Sequence, residues 1–478
     1  MDINNGTTTK LCQVRTSYRT FEEDQAFMMF NNDKDDGETH NNDYSIINQG
    51  ESNCVKGKDV EEVISITQLA PGHITPPRAI FLISNAALGA GLVNFPEAYM
   101  KAGGNHVAIT LQLCMLVFIV GAFLILARCA DKYQAGTYQD VVLYVLGNRF
   151  KNFIQTCIVV YFLGTCITYV IIIGEQLSSV IEFASSTSGI WYTNNKILMV
   201  MFTVLFLLPL CVQCRLKLLS YTSCFGGIGA FFITAVIVRN YFADEYKPHP
   251  EYERRAFKWT EAFTALPCLC FGFQCHVSSV AVYGELKNRS ASKFFGCAVC
   301  AMFVCAITYA LSGGFGHATF GPTTKPDIMT NYANSDTLVN IGRLCILFIL
   351  LSSFSIQMFC ARNIIADVSI KVFKHDAKFV VKTERCRRMT ITLTWFLIVL
   401  LLALVVPNIS VAIAMISGIA AVFIFIIPGL CLLRSVDLDG DVLEIKDLVL
   451  VIVAVVYTMM GCFIFGVVTV LAVQRLHK

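Results

Sequence analysis

Long runs of apolar residues recur along the chain from Arg78 onward, and short polar segments separate them. A helix needs about 20 apolar residues to cross the hydrocarbon layer of a bilayer, and each run approaches or exceeds that length. The pattern therefore predicts eleven transmembrane helices. In chain order, the predicted spans cover residues 79–99, 107–128, 152–182, 197–213, 219–241, 261–283, 294–316, 337–360, 388–406, 409–433 and 448–473.

Composition excludes an ordinary soluble protein. Of the 478 residues, 55% are hydrophobic and only 15% are charged, whereas soluble domains carry about 25% charged residues. The fold class predicted is an all-α integral membrane protein whose membrane domain covers residues 77–478 and whose principal partner is the lipid bilayer. The chain shows no basic cluster of the size that nucleic-acid binding requires, so we expect no nucleic-acid partner.

Residues 1–76 differ from the rest of the chain in composition. They hold 6 basic and 13 acidic side chains and no long apolar run or signal peptide, which predicts a disordered, acidic cytosolic tail. Within it, Tyr44 to Ile47 has the Tyr-x-x-apolar form of an endosomal or lysosomal sorting signal. This signal favours a lysosomal membrane, with the plasma membrane as the alternative, and the tail is a candidate site for a cytosolic partner.

The distribution of basic residues predicts the orientation. Lys and Arg are more numerous in the connecting segments that share a side with the N-terminus, so the positive-inside rule places the N-terminus in the cytosol. Nearly all of the 20 cysteines lie within apolar runs or near their inner ends, so we expect no structural disulfides.

Two of the predicted spans contain features that interrupt a helix. Span 1 carries two glycines, two asparagines and a proline between Ser84 and Pro96, and span 6 carries Pro267 and Gly272 beside a polar set. Non-helical backbone inside a membrane offers carbonyl and N–H groups to ions and to a substrate carboxylate. Either break alone could instead reflect close helix packing. Two breaks five spans apart indicate inverted repeats, spans 1–5 and 6–10, with span 11 outside them.

Three segments carry a resemblance to a known family: SNAALGAGLVNFPEAYMKAGG, FGFQCHVSS and SGIAAVFIFIIPGLCL. They resemble the amino acid/auxin permease family and, within it, the sodium-coupled neutral amino-acid transporters of the glutamine-preferring branch. The similarity extends over essentially all of residues 75–475. It implies a leucine-transporter-like fold that moves a small neutral amino acid of the glutamine or asparagine type together with sodium by alternating access. No cofactor or metal beyond the sodium ion is implied.

The resemblance also implies roles for individual residues. Asn85 matches a family asparagine that helps to hold sodium, and an amide oxygen suits that ion. Ser353 matches a hydroxyl ligand in span 8, although Ser352 and Ser355 lie close enough for the alignment to slip. The family often has threonine at the Ser353 position, which leaves the sodium dependence open.

Substrate contacts are implied at the two breaks. Backbone N–H groups of the first would receive the substrate carboxylate, and carbonyls of the second would receive its ammonium group. Gln274 could contact a polar substrate side chain or form an interhelical hydrogen bond instead. The matched positions are Gly89, Ala90 and Gly91 in span 1 and Phe271, Gly272 and Gln274 in span 6.

Ionisable residues within spans are costly and therefore functional candidates. Glu175 is a candidate for an ion or proton path, and Arg343 could pair with it or with an outer-loop acid. His276 is a candidate pH sensor or, alternatively, a hydrogen-bonded packing residue. Glu97 stands where the closest relatives would have an apolar residue, and we interpret it as lying in an outer vestibule rather than contacting substrate.

The sequence carries no P-loop, HExxH motif or nucleophile elbow, so we predict that the chain is not an enzyme. The favoured function is secondary active transport of a neutral amino acid coupled to sodium. The alternatives are a proton-coupled carrier and an amino-acid sensor that signals through the N-terminal tail.

Overall fold

The computed structural model describes most of the chain from Ile74 onward and shows an all-helical protein apart from one isolated bridge between Ile74 and Leu286. The described residues are 74–185, 194–213, 216–243, 246, 259–373, 382–406, 409–436 and 445–476. Nearly all of them belong to one compact unit, formed by Gln68–Val372 and Arg385–Lys478. A second unit, Met1–Thr67 with Phe373–Glu384, lies mostly outside them, as do the predicted acidic tail and its Tyr44 and Ile47.

Between Ile74 and Phe242 the described residues form eight helices, and a π-helical turn, Thr203–Leu207, joins the sixth to the seventh. They are α1 (Pro76–Leu88), α2 (Gly91–Lys101), α3 (Asn105–Lys132), α4 (Tyr138–Leu146), α5 (Asn148–Ser185), α6 (Asn195–Phe202), α7 (Leu208–Gln213) and α8 (Leu216–Phe242).

From Trp259 onward, the described ranges contain eight more helices. A 3₁₀ segment, Trp259–Ala265, precedes them, and a π-helical turn, Val422–Ile426, joins α14 to α15. They are α9 (Leu266–Gly272), α10 (His276–Gly284), α11 (Ala291–Phe320), α12 (Thr337–Phe373), α13 (Glu384–Val405), α14 (Ile409–Ala421), α15 (Ile427–Ser435) and α16 (Ile445–Leu476).

Membrane-spanning helices dominate the fold. Within the described ranges, nine helices are long and apolar enough to cross a bilayer, and the bent pair α1 and α2 brings this number to ten. The predicted fifth span corresponds to α8, Leu216–Phe242, and the part of it whose side chains the structure describes, residues 226–242, is apolar. The structure therefore supports nine to ten spans, and the eleven-span count stays a prediction.

The first break separates α1 from α2 at Gly89 and Ala90, where the axis bends by 54°. Pro96 then lies inside α2, and because proline has no N–H, the carbonyl of Leu92 loses its helical partner. The hydroxyl of Ser312 donates to this carbonyl over 3.1 Å. The Ser312 side chain of α11 thus supplies the hydrogen bond that Pro96 cannot donate to the Leu92 carbonyl within the membrane.

The core surrounds the two broken segments. Helix α11 packs against α1, α2, α3 and α8, while α14 packs against α5, α9 and α16. Both α9 and α14 are almost entirely buried, whereas α13 and α16 expose rows of large apolar side chains. Helices α13 and α16, whose outer faces are apolar, suit a lipid environment. The buried helices are α9, which ends at the second break, and α14, which packs against α9.

Candidate functional site

The two helix breaks lie side by side. The hydroxyl of Tyr309 on α11 is within hydrogen-bond distance of the carbonyl oxygens of Ala87 (2.6 Å) and Gly272 (2.8 Å). The backbones also approach closely, because a Cβ built on Gly91 would lie 2.9 Å from the Cα of Gly272. One tyrosine therefore links the end of α1 to the end of α9.

Aromatic rings pack against this junction. Phe95 stacks on the ring of Tyr309 with centroids 3.9 Å apart, and Phe273 meets the same ring edge-on at 5.1 Å. A Cβ on Gly272 would lie 2.5 Å from the Phe95 ring. The junction is consequently buried and tightly packed, and burial strengthens hydrogen bonds to its backbone groups.

Asn85 lies close to helices α8 and α12. A Cβ on Gly226 of α8 would overlap the Asn85 Oδ1 atom and would lie 3.8 Å from Ile349 Cγ1 on α12. Gly226 therefore separates Asn85 from Ile349, which precedes Ser353 by one helical turn.

Tyr169 of α5 lies between α1 and α12, near Gly89 and Gln357. A Cβ on Gly89 would lie 2.8 Å from the Tyr169 hydroxyl oxygen, and Gln357 Nε2 of α12 donates to that oxygen over 3.0 Å. Asn85 lies one turn before Gly89, and Ser353 lies one turn before Gln357. The two predicted sodium ligands thus lie on helices that approach a common set of residues, Gly226 and Tyr169.

The three serines of α12 differ in their hydrogen bonding. Ser352 donates to the carbonyl of Ile349 and Ser355 to that of Leu351, each over 2.9 Å. The buried Ser353 hydroxyl makes no hydrogen bond to a helix carbonyl, and its neighbour is the hydroxyl of Tyr169. Of the three, Ser353 alone has a hydroxyl that the α12 backbone does not engage, which favours it over its neighbours as an ion ligand.

The predicted substrate residues are all buried around the two breaks. Helix α9 ends at Gly272, and α10 begins at His276, so the non-helical backbone covers Phe273 to Cys275. Gln274 Nε2 has no hydrogen-bond partner within the described part of the chain. This amide donor is therefore available to a ligand.

His276 is held by packing. Its ring is fully buried, stacks on Phe123 with centroids 4.1 Å apart, and places Nε2 3.4 Å from the carbonyl oxygen of Ile119. These contacts are those of the packing alternative, and a pH-sensing role for His276 stays a prediction.

Glu175 lines a cavity of about 410 Å³ together with Glu182, Lys325 and Asp327. Asp327 is buried and accepts hydrogen bonds from the Gln176 side chain and, over 2.9 Å, from the Met329 N–H. Burial raises the pKa of Asp327 from 3.8 to about 6, although these hydrogen bonds oppose the shift. The cavity thus combines carboxyl groups with one amine.

Arg343 donates mainly to neutral oxygens. Its guanidinium binds the carbonyls of Met329 (3.0 Å) and Tyr332 (3.2 Å) and the Asn340 side chain (2.8 Å). No ion pair with Glu175 occurs among the described residues. The arginine therefore anchors the loop before α12 to that helix.

Glu97 is buried rather than exposed in a vestibule, so this interpretation was wrong. Its carboxylate pairs with Lys101 and accepts hydrogen bonds from Ser410 and, over 3.1 Å, from Asn94. Arg475 of α16 donates to the Ser410 carbonyl over 3.1 Å. Burial is possible because cationic and polar partners replace water around the charge.

Comparisons with known proteins identify the family. The family described as "Transmembrane amino acid transporter protein" matches residues 72–473. The chain belongs to this family. The sequence-based resemblance is thereby confirmed, and this family member is a transporter and not an enzyme.

Individual relatives agree with the family. The transporter is 36% identical over 403 residues to "Sodium-coupled neutral amino acid transporter 7" of Danio rerio and 37% identical over 403 residues to its Homo sapiens counterpart, covering 83% of this chain and 87% of each relative. It is 32% identical over 413 residues to "Putative sodium-coupled neutral amino acid transporter 8" of Xenopus tropicalis, covering 83% and 93%.

Among solved structures, the transporter resembles that of MhsT in complex with L-phenylalanine. The TM-score is 0.52 at 14% identity, and the match covers 82% of this chain and 98% of that one. This likeness supports a leucine-transporter-like fold.

Sequence reasoning missed Tyr169, Tyr309 and Asp327. A tyrosine in an apolar helix looks like any packing residue, so the first two carry no signal of their own. Asp327 lies in the connecting segment after α11, where a carboxylate is expected to be solvated. Only the folded structure shows that it is buried.

Proposed function

We propose that this transporter carries a small neutral amino acid of the glutamine or asparagine type across its membrane by sodium-coupled alternating access. The observation that carries the proposal is the meeting of the two helix breaks at Tyr309, beside Gly91 and Gly272. The names of the sodium-coupled relatives support the same assignment.

Backbone groups would bind the main-chain part of the substrate. The N–H groups of Gly89, Ala90 and Gly91, at the start of α2, receive the carboxylate, because a helix N-terminus favours anions. Carbonyls of Phe271 and Gly272, at the end of α9, receive the ammonium group. In the present conformation the Tyr309 hydroxyl donates a hydrogen bond to the Gly272 carbonyl. This hydrogen bond must break before the carbonyl can accept one from the substrate ammonium group.

Gln274 would supply selectivity for the substrate side chain. Its unpartnered Nε2 donor matches the amide oxygen that glutamine and asparagine carry. A substrate without that oxygen leaves a buried donor unsatisfied, and such a loss costs about 1–3 kcal/mol.

Asn85 Oδ1 and Ser353 Oγ would ligate sodium. Both are neutral oxygen atoms, which suit a hard cation, and both side chains are buried on helices that meet across Gly226 and Tyr169. Because Asn85 shares α1 with the carboxylate-binding break, sodium at this position would stabilise the substrate-binding conformation of the same helix.

The proposed architecture has eleven spans. Spans 1–5 and 6–10 form inverted repeats around the paired breaks, and rocking of one bundle against the other alternates access to the site. We place the N-terminus in the cytosol and the protein in a lysosomal or plasma membrane, with the tail free to bind a cytosolic partner.

A second candidate is proton coupling. Asp327 faces the cavity that Glu175 lines, and its pKa of about 6 lets it exchange a proton near physiological pH. In this alternative the carboxyl pair takes the place of the sodium site.

The test is glutamine uptake by the purified full chain in liposomes under a sodium gradient, a proton gradient or neither. We expect sodium-dependent uptake that falls at least about tenfold in Asn85→Ala and Ser353→Ala. Ser352→Ala is the matched control, because its hydroxyl already donates to Ile349, and it should retain sodium-dependent uptake.

Each other outcome has a defined meaning. Uptake driven by protons and insensitive to sodium would replace the sodium proposal with the second candidate. Glutamine binding without uptake under any gradient would contradict transport and favour the sensor.

A further inference from the structure

A small basic cavity lies where helix α13 begins. It has a volume of about 130 Å³ and is lined by Arg385, Arg388, Met389 and Thr392 of α13 and by Val212 at the end of α7. Positive-inside counting places both helix ends on the cytosolic side. The cavity is thus expected at the level of the lipid headgroups of the cytosolic leaflet.

The two arginines of this cavity have no side-chain partner among the residues that the structure describes. Neither Arg385 nor Arg388 forms a side-chain hydrogen bond or an ion pair with any described residue, and both are exposed. Nearby, the buried Arg362 donates to the carbonyl of Cys211, the residue before Val212. Three guanidinium groups therefore concentrate positive charge in this region.

The start of α13 carries more positive than negative charge, because Glu384 is followed by Arg385, Arg387 and Arg388. A helix carries a partial positive charge at its N-terminus, so cations are disfavoured in the first turn and anions are favoured. Arg385 and Arg388 both lie within five residues of the start of α13. An anion between them would relieve this repulsion and use the fork geometry of the two side chains.

An exposed apolar row continues directly from the basic cavity. Met389, Leu393, Leu397 and Leu401 follow Arg385 at four-residue spacing, and each exposes 44% to 58% of its surface. The π-helical turn Thr203–Leu207, which precedes α7, also exposes Leu205 and Phe206, each at 57%. Cationic groups at the head of an exposed apolar row complement a molecule with an anionic head and an apolar tail.

We propose that an anionic phospholipid binds at this place, with its phosphate between Arg385 and Arg388 and an acyl chain along Met389, Leu393 and Leu397. The ligand class follows from charge complementarity at the headgroup level and from the continuity between the cavity and the apolar row. The bound lipid fixes the start of α13 to the end of α7.

The test uses the full chain purified in detergent. Its thermal unfolding midpoint is measured with phosphatidic acid, with phosphatidylcholine and with inorganic phosphate, and native mass spectrometry counts the retained lipids. We expect saturating phosphatidic acid to raise the midpoint by about 4 °C or more, and the other two additives to have little effect.

Variants locate the site. R385Q/R388Q should lose the phosphatidic acid shift and the retained lipid. R385K/R388K keeps both positive charges and should preserve most of the shift. This second variant tests the role of charge even if R385Q/R388Q folds poorly. The matched control is R149Q/K293Q, which removes two exposed charges at helix starts on the same predicted side. It should behave as the wild type.

Three results would overturn the proposal: no shift with phosphatidic acid, an equal shift with inorganic phosphate, or an equal loss in R149Q/K293Q. All are independent of transport, so failure here leaves the proposed function untouched, and failure of sodium-coupled uptake leaves the lipid site untouched.

Discussion

At the scale of single residues, close backbone approach sets the strictest requirement. Gly91 has no room for a side chain, because the nearest obstacle to a Cβ is the Cα of Gly272 at 2.9 Å. Backbone cannot rotate away as a flexible side chain can. A substitution here must therefore separate the two breaks.

We predict that Gly91→Ala lowers glutamine uptake more than tenfold and destabilises the protein by about 1–3 kcal/mol, the usual cost of overpacking. Gly296→Ala on α11 is the control, since a Cβ there meets nothing within 4 Å and helix propensity improves. Uptake and thermal unfolding of both variants are the measurements. Wild-type uptake by Gly91→Ala would contradict the role assigned to this contact.

The residue scale also shows where sequence reasoning stops. Gly89, Gly91 and Gln274 were identifiable because glycines and an amide are unusual inside an apolar run. The hydrogen-bonding state of Ser353 was not, because three serines within four positions look alike until their carbonyl partners are known.

At the scale of helices, the link between the two broken segments depends on one hydroxyl. Tyr309 joins α1 to α9 from a third helix, α11. Positions of the breaks could be predicted from Gly89 and Gly272, because glycine weakens helices. Their mutual approach could not, since it depends on tertiary packing between segments about 180 residues apart.

We predict that Tyr309→Phe reduces uptake several-fold and costs about 1 kcal/mol of stability. Tyr457→Phe is matched to it, because the Tyr457 hydroxyl also donates to a backbone carbonyl, that of Phe118, over 2.8 Å. It should lose similar stability while keeping normal uptake. Equal uptake losses in the two variants would show that the hydroxyl at the breaks has no special role.

At the scale of the whole molecule, the described spans enclose a buried site and a separate charged cavity. Hydropathy predicts eleven spans, and the described part of the chain supports nine to ten of them; α8, at the predicted fifth span, covers Leu216–Phe242. The short helix α4 was not predicted, because nine residues cannot cross a bilayer and carry little periodic signal.

Asp327 gives the whole molecule a pH dependence. Its folded pKa of about 6 exceeds the ordinary 3.8, so its contribution to stability is present below about pH 4 and is lost as pH rises through 6.

We predict that Asp327→Asn flattens the dependence of the unfolding midpoint on pH between 4 and 7. Asp447→Asn, at the start of α16, is the control and should keep the wild-type slope. Thermal unfolding across this pH range is the measurement, and an unchanged slope in Asp327→Asn would contradict the assignment.

The buried charge on Glu97 has a consequence for how relatives diverge. Its partners Asn94, Lys101 and Ser410 lie on α2 and α14, so losing Glu97 leaves the Lys101 cation uncompensated. Positions 97, 101 and 410 are therefore expected to change together during evolution. Relatives with an apolar residue at position 97 should lack the cation at 101, and an alignment can trace this covariation.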